Sequence, residues 1–214
     1  MVREPLKFRP AKQIAKLVKK YSHGLSLDAG CGTGAYLESF NDDVVAMDVT
    51  KTFIKRLDKT HRVVGDVRFL PFKNNSFNFI LCSEVVEYIK EEEYTNCISG
   101  LEKVIDDDGV LIVTNQNVSR SFFRRVLIKI FSRKIGPLNW NATSEKKYFE
   151  PGFYYNKWTK DTFKKYGFRI YGCLSQGFEK KLRVGLFVDI LNFFISWFPT
   201  LLGAVLIGIK VVKK

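Results

Sequence analysis

Acidic side chains and closely spaced glycines occur together near the start of the chain. Gly30, Gly32 and Gly34 alternate with single residues, and Asp28 lies two positions before the first of them. Glycine lets the backbone turn sharply and approach a ligand that any side chain would block. Asp48 lies twenty residues beyond Asp28, where a carboxylate can accept two hydrogen bonds from the hydroxyl groups of a ribose. These residue types and spacings predict a nucleotide-binding turn.

The glycine motif alone does not distinguish between classes of nucleotide-binding enzyme. Gly30, Gly32 and Ala35 also satisfy the dinucleotide pattern, so a nicotinamide enzyme is an alternative. Asp28 discriminates better, because a carboxylate at the end of a buried strand is desolvated unless it meets donors or a cation. A ligand ammonium group would supply that cation. Asp66 follows another apolar run and is placed to accept a hydrogen bond from the exocyclic amine of an adenine.

Short apolar runs must position these groups, and each run stops at a polar residue or a glycine. The runs cover residues 25–29, 44–47, 62–64, 77–82, 110–114 and 168–174. They alternate with helical segments, among them residues 10–21, 35–40 and 160–166, a pattern typical of a parallel sheet covered on both faces. Ligands of such sheets bind at the carboxyl ends of the strands, where this chain places its glycines and carboxylates.

The positive charge of the chain is segregated. The 214 residues include 35 Lys and Arg against 22 Asp and Glu, a net charge of +13, yet residues 27–118 hold 9 basic and 16 acidic side chains. The excess of basic residues lies in segments 1–26, 119–150 and 157–183. This distribution predicts an acidic core with peripheral basic elements that face phosphates of nucleic acid or a lipid surface. Ordinary solvated faces are the alternative.

The cysteines argue against a disulfide scaffold or a metal site. Cys31, Cys82, Cys97 and Cys173 are far apart in the sequence, and none has the spacing of a zinc-binding pair. We therefore expect reduced thiols and no metal. The first residues are charged and carry no apolar run, so we expect no secretory signal and a cytoplasmic protein.

Five motifs in order make the chain resemble the class I S-adenosylmethionine-dependent methyltransferases, within them the type 11 group. The matching stretches are residues 27–34, 45–48, 65–67 with 70–72, 76–80 and 83–88. Residues 101–114 resemble the helix and fifth strand of the family, and 165–168 resemble the residues before its sixth strand. The resemblance, which covers roughly residues 22–175, implies a Rossmann-like α/β fold. Its doubly wound sheet has seven mostly parallel strands, an antiparallel last strand and helices on both faces.

The resemblance implies S-adenosylmethionine as cofactor and assigns residues to it. Asp28 would answer the methionine amino group, Asp48 the ribose hydroxyls and Asp66 the adenine amine. Val67 would contact the adenine ring, and Ser83 would lie near the transferring methyl group. The full predicted cofactor site comprises Asp28, Gly30, Cys31, Gly32, Gly34, Asp48, Val49, Asp66, Val67 and Ser83.

The sequence does not identify a general base. The family often has Asn or Asp near position 83 and His at position 88, where this chain has Ser83 and Tyr88. Methyl transfer needs a base only for some acceptors. Glu84, Glu87 and Tyr88 are the candidate catalytic residues, and a structural role at the start of a helix or in the core is the alternative.

The chain is expected to form a single methyltransferase domain with four parts. A basic helix occupies residues 1–24, and the cofactor-binding half covers 25–115. Residues 116–160 are expected to form an insertion or substrate cap. Residues 161–214 provide the last strands, with a hydrophobic amphipathic insertion at 178–200.

The apolar stretch from 184 to 209 contains one charged residue, Asp189, which invites interpretation as a transmembrane segment. Pro199 divides the stretch, and basic residues flank both of its ends, so we prefer a different interpretation. We expect residues 185–198 to form an aromatic, amphipathic helix and residues 203–212 to form the final antiparallel strand.

These features favour a small-molecule or lipid-like methyl acceptor, with peripheral membrane contact through residues 178–200. A lid over a small-molecule pocket and a dimer interface are alternative roles for that segment. The charge of +13 and the interleaved aromatic and basic residues between 140 and 169 instead suit a tRNA or rRNA methyltransferase. A non-catalytic, cofactor-binding regulatory subunit is a further alternative.

Overall fold

The computed structural model describes residues 12–58, 60–116, 159–173 and 205–213. Almost all of the expected insertion at 116–160 and the whole amphipathic segment at 178–200 lie outside these ranges. The described helices are α1 (Lys12–Tyr21), α2 (Lys51–Ile54), α3 (Tyr94–Val104) and α4 (Lys160–Lys165). The strands are β1 (Ser26–Ala29), β2 (Val44–Asp48), β3 (His61–Val64), β4 (Phe77–Ser83), β5 (Ile105–Gln116), β6 (Arg169–Cys173) and β7 (Val205–Val211).

The strands form one seven-stranded sheet in the order β3-β2-β1-β4-β5-β7-β6. Strands β1 to β5 pair in parallel, whereas β7 runs antiparallel to both of its neighbours. The predicted mostly parallel sheet with an antiparallel last strand is therefore confirmed. Residues 205–211 are a buried strand of this sheet, as expected for the segment 203–212.

Both faces of the sheet are covered by helices. Ile14 and Val18 of α1 pack on Phe79, Leu81 and other side chains that point to one face of the sheet. The opposite face packs against α3 and α4, and contributes the larger apolar cluster. Since the apolar stripe of α1 is buried in this way, the lysines of the helix are left at the surface. The basic amphipathic helix predicted at 10–21 is thus a structural layer of the domain.

The helix expected at 35–40 is reduced to a single 3-10 turn, Leu37–Ser39. Gly30, Gly32 and Gly34 all have positive φ, so the backbone leaves the right-handed helical region at every second residue. The chain regains right-handed helical geometry only for this one turn, and Phe40 is already extended. The sequence correctly predicted the turn and overestimated the helix that follows it.

Residues 106–109 form an irregular stretch inside β5, just before the apolar run at 110–114. Phe77 of β4 pairs with Ile105 of β5, and Phe79 pairs with Val110. The residues of β5 between Ile105 and Val110 therefore have no paired residues in β4. The strand consequently begins five residues earlier than the apolar run suggested.

Among the helices of the described ranges, none has the length and apolar content needed to cross a bilayer.

Candidate active site

The glycine turn is fastened to the neighbouring strand by its own backbone. The N–H groups of Gly30 and Cys31 both donate to the carbonyl oxygen of Met47, at 2.7 and 2.9 Å. A Cβ atom on Gly30 would lie 2.2 Å from a methyl carbon of Val85, whereas a Cβ on Gly32 would have no atom of the described residues within 4 Å. Gly30 therefore allows close packing inside the protein, and Gly32 borders open space that a ligand can approach.

Asp48 lies at the end of β2 and accepts two backbone hydrogen bonds. Its Oδ2 accepts from the N–H of Gly32 at 2.9 Å, and its Oδ1 accepts from the N–H of Thr50 at 2.7 Å. These bonds hold the carboxylate against the glycine turn, as predicted from the spacing of the motif. Each oxygen retains a lone pair, so the carboxylate has capacity for two further donors such as the hydroxyls of a ribose.

Asp28 is the most perturbed carboxylate of the site. It is 1% exposed, and its Oδ2 has no hydrogen-bond partner among the residues that the structure describes. Burial, and secondarily the negative charge of Asp48, raise the pKa of Asp28 from 3.8 to about 7. A buried acceptor with an unused oxygen fits a cationic donor, so the residues present match the ammonium group of S-adenosylmethionine.

Asp66 follows β3 and is bound by an arginine that the sequence analysis overlooked. Its Oδ2 accepts from Nη2 of Arg68 at 2.6 Å, and Nη1 of Arg68 also donates to Glu93 at 3.1 Å. Burial opposes ionisation, but the hydrogen bonds and charge of Arg68 outweigh it and lower the pKa of Asp66. The loop after β3 is thereby tied to the residue that precedes α3. The sequence analysis did not use Arg68, because only its partner Asp66 belongs to the motif at residues 65–67.

The apolar residues of the predicted site, Val49 and Val67, lie in the chain segments that follow β2 and β3. Val67 is buried, whereas Val49 is 53% exposed at the end of β2. Phe69 is 74% exposed, with the Arg68 guanidinium 5.8 Å from its ring centre. Exposed apolar side chains beside a carboxylate are suited to a planar base such as adenine.

Ser83 ends β4 and contacts a second residue that the sequence analysis did not use. Its hydroxyl lies 2.9 Å from the hydroxyl of Thr114, which is fully buried at the paired position of β5. The next residue, Glu84, has a φ of 56°, which is unusual for a residue with a side chain. A hydroxyl residue that directly ends an apolar run was the available signal for Thr114.

The three candidate catalytic residues lie on the short segment after β4. Glu84 and Tyr88 are half-buried, and Glu87 is 1% exposed within the 3-10 turn Val86–Tyr88. Asn115 of β5 is also 1% exposed, and its Nδ2 has no hydrogen-bond partner. The polar groups at the tips of β4 and β5 therefore lie in a desolvated environment. Which of them, if any, acts as a base stays a prediction.

Three of the cysteines are buried and unpaired. Cys31, Cys82 and Cys97 carry free thiols, whose pKa values burial raises above the usual value. Across the described ranges, no group of three His, Cys, Asp or Glu side chains is arranged to hold a metal ion. Cys31 lies in the glycine turn. Its backbone N–H, rather than its thiol, holds the turn by donating to the carbonyl oxygen of Met47.

Comparison with known proteins agrees with this geometry. Residues 27–113 match the model of a methyltransferase domain family. An uncharacterized protein of Methanocaldococcus jannaschii is 30% identical over 111 residues, which cover 50% of this chain and 48% of that protein. The chain spans less than two thirds of the length of this relative and of the next curated relative that it matches.

Solved structures share the fold at low sequence identity. A SAM-dependent methyltransferase from Archaeoglobus fulgidus superposes with a TM-score of 0.54 and 16% identity, covering 93% of this chain and 90% of that one. A complex of the Haloferax volcanii Trm112 methyltransferase activator with a methyltransferase gives a TM-score of 0.60 and 11% identity, covering 95% and 88%. Residues 27–113, which carry the glycine turn and the carboxylates beside it, match the methyltransferase domain family, and the seven-stranded sheet shares its fold with these solved structures.

Proposed function

We propose that the protein transfers a methyl group from S-adenosylmethionine to a small-molecule or lipid-like acceptor at a membrane surface. The observation that carries the cofactor part of the proposal is the unpartnered, buried Oδ2 of Asp28 beside the open glycine turn. A buried carboxylate oxygen without a donor costs free energy, and the ammonium group of a ligand would supply the missing donor.

Each predicted cofactor contact has a defined place in this proposal. Asp28 binds the methionine ammonium, and Asp48 binds the ribose while it stays fixed to Gly32. Asp66 accepts a hydrogen bond from the adenine amine and keeps its ion pair with Arg68. Val49 and Val67 flank the base, and Ser83 lies at the methionine end.

The cofactor supplies an activated methyl group and a neutral thioether leaving group, so the protein contributes mainly alignment and desolvation. The buried surroundings of Ser83, Thr114 and Asn115 exclude water from the tips of β4 and β5. Glu84, Glu87 and Tyr88 follow on the same segment, where one of them would accept a proton if the acceptor were an alcohol or an acidic carbon. A carboxylate or phenolate acceptor would need no such group.

The membrane part of the proposal rests on the sequence of the 178–200 segment and on the charge of the chain. Residues 185–198 combine an apolar, aromatic stripe with a narrow polar one, and Lys180, Lys181 and Arg183 precede them. Apolar faces enter the headgroup boundary while lysine and arginine meet anionic lipid, a combination typical of peripheral membrane proteins. A lipid-linked acceptor would be reached from this position.

RNA methylation is the second candidate, favoured by the net charge of +13 and the basic segments around an acidic core. Lys12, Lys16, Lys19 and Lys20 of α1 are exposed, because the apolar face of that helix is buried on the sheet. If RNA is the acceptor, its binding should weaken steeply with rising salt concentration.

The cofactor part is tested by calorimetry with S-adenosylmethionine and with NADH on the native protein. We expect saturable binding of the first and none of the second. Asp48→Asn should weaken binding by roughly tenfold or more, because one charge-assisted acceptor is lost. Asp58→Asn, at an exposed position away from the glycine turn, is the matched control and should bind like the native protein. Binding of NADH in place of S-adenosylmethionine would reject the assignment.

The acceptor part is tested by incubating the protein with methyl-labelled cofactor and cell extract, then separating lipid, RNA, protein and small-molecule fractions. Label in the lipid or small-molecule fraction supports the first candidate, and label in RNA supports the second. Flotation with vesicles of phosphatidylglycerol and of phosphatidylcholine tests membrane contact. The native protein should float with the anionic vesicles only, and replacing Lys180, Lys181 and Arg183 with Glu should abolish this.

A further inference from the structure

Thr114 links the ends of two central strands through its side chain and its backbone. It pairs with Ser83 across β4 and β5, and the two hydroxyl oxygens lie 2.9 Å apart. The N–H of Glu84 donates to the hydroxyl oxygen of Thr114 at 3.2 Å and to its carbonyl oxygen at 3.1 Å. One fully buried residue thus contacts both residues at the point where the chain leaves β4.

The backbone of Glu84 is strained, and its conformation affects the packing of the glycine turn. A φ of 56° at Glu84 is costly for a residue with a Cβ atom, and such a conformation persists only when surrounding contacts impose it. The residue that follows, Val85, contacts Gly30 so closely that no side chain would fit there. The direction in which the chain leaves β4 therefore fixes one wall of the glycine turn.

We propose that Thr114 is a positioning residue for cofactor binding, an inference that rests on the proposed function. Its hydroxyl fixes the orientation of the Ser83 hydroxyl and holds the Glu84 backbone, and through Val85 it shapes the turn at Gly30. Thr114 acts through these neighbours and does not itself touch the cofactor. The hydroxyl group, rather than the bulk of the side chain, performs this role.

Two variants separate the hydroxyl from the bulk. Thr114→Val keeps the size and β-branching of the side chain but removes the oxygen, while the backbone bond from Glu84 remains to preserve the fold. Thr114→Ser keeps the oxygen and removes only a methyl group. Ser83→Ala removes the partner hydroxyl. Ser26→Ala is the matched control, because Ser26 is another fully buried hydroxyl residue of the sheet, located at the opposite end of β1.

The measurement is the dissociation constant for S-adenosylmethionine by calorimetry, with the unfolding midpoint of each unliganded variant recorded alongside. Thr114→Val should weaken binding about tenfold, the equivalent of one ordered hydrogen bond. Thr114→Ser should bind within about threefold of the native protein, as should Ser26→Ala. The effect of the double variant Ser83→Ala/Thr114→Val should be smaller than the product of the two single effects, because the contact between the two hydroxyls is lost in either single variant.

Three results would overturn the inference while leaving the proposed function intact: native-like binding by Thr114→Val, equally weak binding by Thr114→Ser and Thr114→Val, or fully multiplicative effects in the double variant. The first of these would indicate that the threonine only fills space. If the native protein itself does not bind S-adenosylmethionine, the proposed function fails and this inference fails with it.

Discussion

Replacing Asp28 with asparagine should make the unliganded protein more stable at neutral pH while impairing the site. The native carboxyl has a pKa of about 7 in the folded chain against 3.8 when solvated. Between these two values the folded state retains a proton that the unfolded state has lost, so native stability falls as pH rises through this window. Above pH 7 both states are ionised, and the penalty stays constant.

The size of the expected change in unfolding free energy depends on the pH range that the experiment covers. From pH 5 to pH 7 the native protein loses about 1.4 kcal/mol per unit, or about 3 kcal/mol in all. The amide introduced by Asp28→Asn cannot ionise, so the variant lacks this loss. The difference in unfolding free energy between variant and native protein should therefore rise by about 3 kcal/mol between pH 5 and pH 8. Effects of the buried amide itself are the same at both values and cancel.

Urea unfolding at pH 5, 6, 7 and 8 measures this difference directly, and Asp58→Asn serves as the exposed control with no expected change in slope. Asp28→Asn should also weaken S-adenosylmethionine binding by roughly ten- to a hundredfold, since an amide cannot neutralise an ammonium group. In the native protein, binding should strengthen as pH rises from 5 to 7 and the carboxyl ionises. Parallel pH slopes for the native protein and Asp28→Asn would refute the reasoning.

Four further substitutions probe other parts of the site. Gly30→Ala should destabilise the fold, because the added methyl group would collide with Val85. Gly32→Ala should lower the unfolding free energy by only about 1 kcal/mol through backbone strain and should mainly weaken cofactor binding. Unfolding curves and calorimetry on both variants distinguish the two effects. Arg68→Met should change unfolding free energy by less than about 1 kcal/mol, because the pair with Asp66 is partly exposed; a larger loss in urea unfolding would contradict this. Asn115→Leu should leave the unfolding midpoint unchanged or raise it, since a buried amide without a partner is removed.

The sequence predicted the parallel strands and the positions of the carboxylates at their ends because both depend on local signals. Apolar runs that stop at glycine or aspartate give parallel strands and their carboxyl ends, and this placed Asp28 and Asp48 correctly at one edge. The hydroxyl pair of Ser83 and Thr114 could not be predicted in this way. It depends on the register of β4 with β5, which brings together residues 31 positions apart.

The pair formed by Arg68 and Glu93 was missed for a related reason. Charged residues near a motif usually lie in solvent, and only the folded arrangement of the loop after β3 against α3 brings these two together. The shortened helix at 37–39 and the bulge in β5 were missed because each is set by backbone conformations at a few residues, such as Gly34 and Asp108. Periodicity does not record such conformations.

The position of β7 between β5 and β6 has a consequence for how the domain is assembled during synthesis. Within the described part of the chain, strand β6 pairs with β7 alone, and β7 leaves the ribosome later, so residues 169–173 emerge before this partner strand is present. Until then the buried, apolar β5 ends the nascent sheet with unpaired backbone groups. Completion of this half of the domain is therefore a single late event, in which residues 205–211 insert between two waiting strands.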